Sequence, residues 1–472
     1  MTSTSKLVDT PAEEIARLAA AAGAAAAGYA EWPAARRRDL LHAMADSLQA
    51  DAESLIGVAG DETGLTEARL TGELARTTGQ LRLLGDFVAA GRHAEHRSSP
   101  GAAPGGSDLI AVAVPIGPVA VFAASNFPFA FGVAGGDTAA ALAAGCPVVV
   151  KAHPAQPATS RAIASSLARA VTASSAGEGI IALVEGGRPE TSIALVQSPE
   201  IRAVGFTGSL RGGRALLEAA TARPEPIPVY AEMGSLNPIF VLPDAALDSG
   251  WAETLAASVV GSAGQLCTKP GLIVVPDDDA GQALSDAVAA KVAAAPAHPM
   301  LTDGMSDAHL AWAQEAAALP DASVTPADVA GPARAFTVQV PVSALTGTLL
   351  EEHFGPTTVL VRARVEEYAE LAGRLEGTLT ATMIGTEADA KAARALLPVL
   401  VARAGRIVWN GVPTGVAVAD AMHHGGPWPA SSTSWSTSVG TESIRRFIRP
   451  VAVQGLPASL LDAVSPDVAT GP

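Results

Sequence analysis

The chain has little cysteine, few aromatic side chains and little charge, and each shortage excludes something. Two cysteines among 472 residues cannot build a disulfide framework, and such sparse thiol usage fits a reducing compartment. Aromatics make up 4% and charged residues 17%, against 49% hydrophobic residues. That balance excludes a disordered chain. Basic residues are the scarcer sign, 31 against 47 acidic for a formal charge of −16. An acidic surface repels phosphate backbones and anionic lipid, so neither nucleic acid nor a membrane is expected as a partner. The apolar run Leu18–Ala27 is mostly alanine and too short to span a bilayer. The opening MTSTSKLVDTPAEEIARL has no apolar core of a secretory signal. The expectation is a cytoplasmic protein.

Familiar fingerprints are missing too. No G-x-G-x-x-G opens the first strand–helix unit, and no G-x-x-x-x-G-K-[ST], H-E-x-x-H or C-x-x-C occurs. HAEH at His93–His96 reads as solvated surface. His423 and His424, before GGPWP, read as loop residues rather than metal ligands, so no metal is expected.

A chain of this length divides into two or three domains. Up to Gly91 apolar residues recur three and four apart, as in helices. Ser98–Ser107, SSPGAAPGGS, reads as a linker or surface loop. From Leu109 short apolar runs such as GPVAVFAAS and CPVVVKA alternate with helical stretches. Near-continuous apolar strands between helices mean a parallel sheet covered on both faces. A second alternation begins after Asn237. Ala294–Leu345 is less regular and suggests long surface excursions.

Ligands of such sheets sit beyond the carboxyl ends of the strands, and four polar residues fall there. Asn126 in ASNFPFAF is a turn residue before Pro128 or an amide donor to an oxyanion. Lys151 either marks the end of its strand or binds an anion. Ser209, after Gly208 in FTGSLRGG, is a helix cap or part of a phosphate seat. Glu232 lies between apolar stretches, where a carboxylate is costly unless paired or working as a base. Cys267 in SAGQLCTKPG is a nucleophile or a small buried residue. Cys146 in AAGCPVVVK begins a buried strand and reads as structural.

In their order along the chain, ASNFP, VVVKA, FTGS, AEMGSLNP, GQLC, EEHFGP and WNG resemble the aldehyde dehydrogenase superfamily. The resemblance covers nearly the whole chain. It implies an α/β fold with two Rossmann-like doubly wound domains and a β oligomerisation arm. Residues 1–106 and 117–235 would form the cofactor domain and 236–444 the catalytic domain. Residues 107–116 and 445–472 would form the arm, and a homodimer or homotetramer follows. The same resemblance makes Cys267 the nucleophile on an aldehyde, Asn126 its oxyanion donor and Glu232 the base that hydrolyses the thioester. Lys151 would bind adenosine-ribose and phosphate oxygens and Ser209 the pyrophosphate. Glu352 would hold the nicotinamide ribose, and Phe354 would wall the nicotinamide.

Two departures refine the expectation. Many NAD-dependent members carry Lys-Pro-Ser-Glu where this chain has Lys151-Ala152-His153-Pro154. Losing that carboxylate to Pro154 removes repulsion against a 2′-phosphate, and His153 could add a hydrogen bond. NADP is therefore expected, with NAD the alternative. GGPWPASSTSWSTSVGTESIRRFIRP and TTGQLRL are similar to the branch of α-ketoglutaric semialdehyde dehydrogenases and related NADP-linked fatty aldehyde dehydrogenases. The expected reaction is oxidation of that semialdehyde to 2-oxoglutarate. A medium- or long-chain aldehyde is the rival substrate, and a non-catalytic binding protein of the same fold the rival class. Arg82 is a candidate for the substrate's carboxylate. Lys269, where the branch has Asn, is a candidate determinant of specificity.

Overall fold

The computed structural model describes residues 7–94, 97–326 and 333–466; His96 of the HAEH stretch lies outside them. The chain forms two compact units, Met1–Ala231 with Ala417–Met422 and Ser436–Pro472, and Glu232–Val416 with His423–Trp435. Sequence reasoning divided the chain at 235/236 and 444/445; here 232–235 group with the second unit, and 417–422 and 436–444 with the first.

The first unit begins with four helices, α1 (Ala12–Ala30), α2 (Ala34–Ala50), α3 (Ala52–Thr63) and α4 (Glu67–Ala89). Strands β1 (Arg97–Ser99) and β2 (Leu109–Pro115) follow, so the Ser98–Ser107 stretch starts inside an edge strand rather than in a loop. Then come β3 (Val119–Phe122), α5 (Gly136–Ala144), β4 (Val148–Lys151), α6 (Pro157–Ala173), β5 (Ile181–Val184), α7 (Pro189–Gln197), β6 (Ala203–Thr207), α8 (Leu210–Thr221) and β7 (Val229–Glu232). The sheet order is β5-β4-β3-β6-β7, and β3 runs parallel to both β4 and β6. The order reverses beside β3, which opens a crevice at the carboxyl ends of β3 and β6. Alanine explains how the layers come close: every residue of α5, GDTAAALAA, is buried, as expected of a helix apolar on all sides.

The second unit holds β8 (Ile239–Val241), α9 (Trp251–Val260), β9 (Leu272–Pro276), α10 (Asp279–Ala293), α11 (Asp303–Ala318), β10 (Ser323–Thr325), β11 (Phe336–Pro341), β12 (Thr357–Ala363), α12 (Tyr368–Arg374), β13 (Thr378–Ile384), α13 (Ala390–Val401) and β14 (Ala404–Trp409). Its sheet order is β10-β11-β12-β9-β8-β13-β14, parallel except for β10. Residues 294–345 are thus more regular than the sequence suggested. Thr302 caps α11 by accepting from the Met305 N–H, but only His309, Trp312 and Ala316 of that helix are buried. So few inward positions hide the helical period.

The last strand, β15 (Ile448–Gln454), pairs antiparallel with β2 from Leu109↔Gln454 to Pro115↔Ile448. With β1 it makes a three-stranded sheet. Among the described residues no helix is long and apolar enough to cross a membrane.

Candidate active site

In the first unit, the sheet crevice receives the residues that end β3, β4 and β6. Asn126 follows β3, is buried, and its carbonyl accepts from Arg69 Nη2 at 2.6 Å. That guanidinium also lies 5.0 Å from the centre of the Phe127 ring, and burial lowers its pKa. Lys151 closes β4 and is buried, with Nζ donating to the Ala152 carbonyl at 2.8 Å. Burial pulls its pKa down to about 8, against the opposing pull of Asp9 and Glu185. His153 falls to about 4 because it is buried and faces Lys151. Its Nδ1 accepts the Ala155 N–H at 3.2 Å, which leaves the proton on Nε2.

Ser209 is the N-cap of α8, its Oγ accepting the Gly212 N–H at 3.1 Å; Gly208 before it lies against the Phe206 ring. A capped helix start opening straight from a strand end, near a buried ammonium on a parallel strand, is a donor set suited to the phosphates of a dinucleotide. Pro154 contributes no charge.

Two candidates of the first unit stand elsewhere. Arg82 on α4 pairs with Asp46 of α2 at 2.5 Å in an exposed position, so its guanidinium is spent on a surface ion pair. His93 is buried beside Arg37, not solvated, because it follows the end of α4 into the core. Cys146 is fully buried, its Sγ donating to the Phe447 carbonyl at 3.3 Å. Burial raises its pKa to about 11, so it is inert.

In the second unit two candidate groups stand at the amino ends of strands, the opposite edge from the general rule for such sheets. Cys267 precedes β9 and Glu352 precedes β12. The chain reaches Cys267 through three consecutive left-handed residues, Ser262 (φ 55°), Ala263 (φ 54°) and Gly264 (φ 65°). For the two with a Cβ this costs roughly 1–2 kcal/mol each. At Gly264 a Cβ would lie 2.0 Å from the Gly355 carbonyl oxygen, so only glycine fits. Asn237, itself at φ 50°, braces the far side. Its Nδ2 donates to the carbonyls of Cys267 (2.8 Å) and Lys269 (3.0 Å). The sequence offered no sign of this bracing role beyond Asn as the non-glycine residue that best tolerates a left-handed backbone.

The half-buried Cys267 thiol lies 3.6 Å from His424 Nε2, and the same nitrogen is 3.1 Å from Glu232 Oε1. Glu232 and His424 are 4% and 1% exposed, so both groups are largely shielded from water. Burial, then the carboxylates of Glu232 and Glu352, push the Cys267 pKa well above its ordinary value. The resting group is therefore a thiol beside proton acceptors. Sequence reasoning read His424 as a loop residue. The structure holds its segment against β14, where a Cβ on Gly405 would sit 2.0 Å from the Gly425 carbonyl. Ala430 and Ser431 meet Met233 and Glu232 on the other side.

Lys269 lies two residues past the cysteine. Its buried ammonium donates to the carbonyls of His353 and Thr357, each at 2.8 Å. It ties the cysteine loop to the Glu352–Phe354 loop. Burial lowers the Lys269 pKa and raises that of Glu352, while their mutual attraction opposes both shifts. The half-buried Phe354 belongs to the same loop, next to His353, which stacks on Trp312 with ring centres 3.6 Å apart.

Comparison with known proteins places these groups in a lineage. The model of the "Aldehyde dehydrogenase family" matches residues 2–453. Alpha-ketoglutaric semialdehyde dehydrogenase 2 of Azospirillum brasilense is 43% identical over 458 residues, covering 92% of this chain and 85% of the relative. Alpha-ketoglutaric semialdehyde dehydrogenase of Acinetobacter baylyi is 40% identical over 476 residues, covering 96% and 89%. Among solved structures, an NAD-dependent aldehyde dehydrogenase from Sinorhizobium meliloti superposes with a TM-score of 0.80 at 22% identity, covering 95% of this chain and 89% of that one. That last likeness is one of fold.

Proposed function

The chain belongs to the aldehyde dehydrogenase family, and from that premise we propose that it oxidises α-ketoglutaric semialdehyde to 2-oxoglutarate with NADP. The observation that carries the chemistry is the meeting of thiol, imidazole and carboxylate at Cys267, His424 and Glu232. The substrate follows from the two relatives named for it.

The His424 Nε2 lone pair accepts the thiol proton, and the resulting N–H donates to Glu232, which stabilises the cation so formed. The thiolate attacks the aldehyde carbon. The Asn126 amide and the Cys267 N–H donate to the oxygen as it becomes negative, contacts that strengthen in the transition state. NAD(P), when bound, supplies the hydride acceptor. The acyl group then rests on Cys267 as a thioester. Glu232 removes a proton from the water that releases the carboxylate and regenerates the thiol.

Cofactor selection rests on the Lys151–Pro154 turn: a cation, a neutral imidazole and no carboxylate within the turn itself, the nearest acidic influence on Lys151 coming from Asp9 and Glu185. Glu352 would hold the nicotinamide ribose and Phe354 would wall the nicotinamide when the cofactor is bound. Since Lys151 loses its proton near pH 8, NADPH affinity is expected to weaken as pH rises through that value. The protonated, binding form prevails below it. Fluorescence titration of NADPH between about pH 7 and about pH 9 reads the effect, and Lys151→Arg, whose cation persists, should flatten it. A flat wild-type profile would remove Lys151 from the phosphate site.

Arg69, which borders Asn126 and lies 3.9 Å from the Glu73 carboxylate, is the cation we assign to the substrate's own carboxylate. Arg69→Met should raise KM for the semialdehyde about tenfold or more while leaving hexanal little changed. Equal losses for both aldehydes would point to damage at Asn126 instead. The half-exposed β1-β2-β15 sheet is assigned to contact with a second copy of the chain.

The deciding experiment compares kcat/KM for the semialdehyde, hexanal and longer alkyl aldehydes, with NAD and NADP side by side. Preference for the semialdehyde with NADP supports the proposal. Equal or better values for alkyl chains would replace it with the fatty aldehyde reading.

A further inference from the structure

The three groups that serve proton transfer also form a donor set for a metal ion. Among the described residues this is the one group of three such side chains whose ligand atoms lie within 4.8 Å of one another. A tetrahedral zinc, with Zn–S near ~2.3 Å and Zn–N or Zn–O near ~2.0–2.1 Å, spaces its donors roughly 3.3–3.6 Å apart. The distances here are 3.6 Å from sulfur to His424 Nε2 and 3.1 Å from that nitrogen to Glu232 Oε1. Two of the three donor pairs therefore already lie near zinc spacing, and the sulfur and the Glu232 carboxylate, within 4.8 Å of one another, would close in to admit the ion. The donors also suit it chemically. Thiolate, imidazole and carboxylate match a borderline-soft cation and discriminate against magnesium and calcium, which want oxygen alone. Thiolate and carboxylate together cancel its two positive charges, and both protein donors besides the thiol are deeply buried. Three protein ligands leave a fourth position for water, the arrangement of an open rather than a closed zinc site.

We infer that Glu232, Cys267 and His424 bind one zinc-class divalent cation per chain, and that the ion and the aldehyde exclude each other. Binding forms a Zn–S bond as the S–H proton leaves to solvent, with no change of oxidation state. The exclusion rests on the reading of Cys267 as nucleophile, since a metal-held sulfur gives up much of its charge to the ion and the ion fills the space beside it; the binding itself does not. Free zinc thereby becomes a reversible brake on the enzyme, released by chelation.

Untagged, cofactor-free protein titrated calorimetrically with zinc chloride tests this. One site per chain is expected. His424→Ala and Cys267→Ser should each weaken Kd by about tenfold or more. Cobalt chloride in place of zinc should give a thiolate-to-metal charge-transfer absorption that Cys267→Ser lacks. Stoichiometric zinc should slow iodoacetamide alkylation of Cys267, and EDTA should restore it. NADPH binding checks that each variant is folded; if His424→Ala fails that check, Glu232→Gln takes its place in the titration. Unchanged zinc affinity in the folded variants, or a cobalt complex without the thiolate band, overturns the site. Turnover is measured separately. A chain that binds zinc through these residues but oxidises no aldehyde keeps the site and loses the functional reading. A chain that turns over and binds no zinc does the reverse.

Discussion

Cys267→Ala is expected to lower kcat on the order of 10⁴-fold or more while NADPH still binds. The size follows from what is removed. Without sulfur no covalent adduct forms, and hydride would have to leave a hydrated aldehyde that nothing holds. Alanine is smaller than the half-buried thiol and makes no new contact. The backbone that positions residue 267 is held by Asn237 through the Cys267 carbonyl, which the substitution keeps. Cys267→Ser is the sharper control, since it preserves shape but offers an oxygen that the His424–Glu232 pair deprotonates far less readily. Both variants should be nearly inert and fully folded. Substantial aldehyde oxidation by either would end the mechanism proposed here.

The second large effect concerns Glu232→Gln, expected to cut steady-state turnover about 10²–10⁴-fold but through a different step. Glutamine fills the same buried position and still meets His424, yet it cannot take a proton from water. Rapid mixing should therefore show up to one equivalent of NADPH per site formed quickly, followed by a stall with the acyl group on Cys267. Mass spectrometry of the stalled protein should find that acyl group. A loss of turnover with no burst would make support of the His424 cation, rather than activation of water, the step that fails without Glu232, and unchanged turnover would discard it as the base.

The placement of the first unit's candidate residues was legible because it obeys a simple rule. Asn126, Lys151 and Ser209 each follow an apolar strand, and ligands gather where such strands end. The second unit breaks that rule. Cys267 and Glu352 stand before their strands, so strand-end reasoning points away from them, and only the run of motifs singled out the cysteine. His424 was hidden for another reason. It lies 157 residues from Cys267 in a Gly/Pro-rich stretch without periodicity, and nothing local says which wall that stretch rests against. Lys269 shows the limit of adjacency. Two residues past the nucleophile, its side chain turns to carbonyls 84 and 88 residues further on. Neighbours in sequence share a loop but not a direction.

The pairing of β2 with β15 sets a constraint on how the chain is made. Leu109 leaves the ribosome long before Gln454, its partner in the ladder. At roughly 5–20 residues per second the wait is on the order of tens of seconds. Throughout it, β2 offers an unpaired edge to any other extended segment. The first unit is also built from both ends of the chain, so it cannot be completed until the second has been synthesised. Premature termination a few dozen residues short of the C-terminus would leave the Cys267 region translated and β2 permanently without its partner. Such products should aggregate rather than merely lose activity.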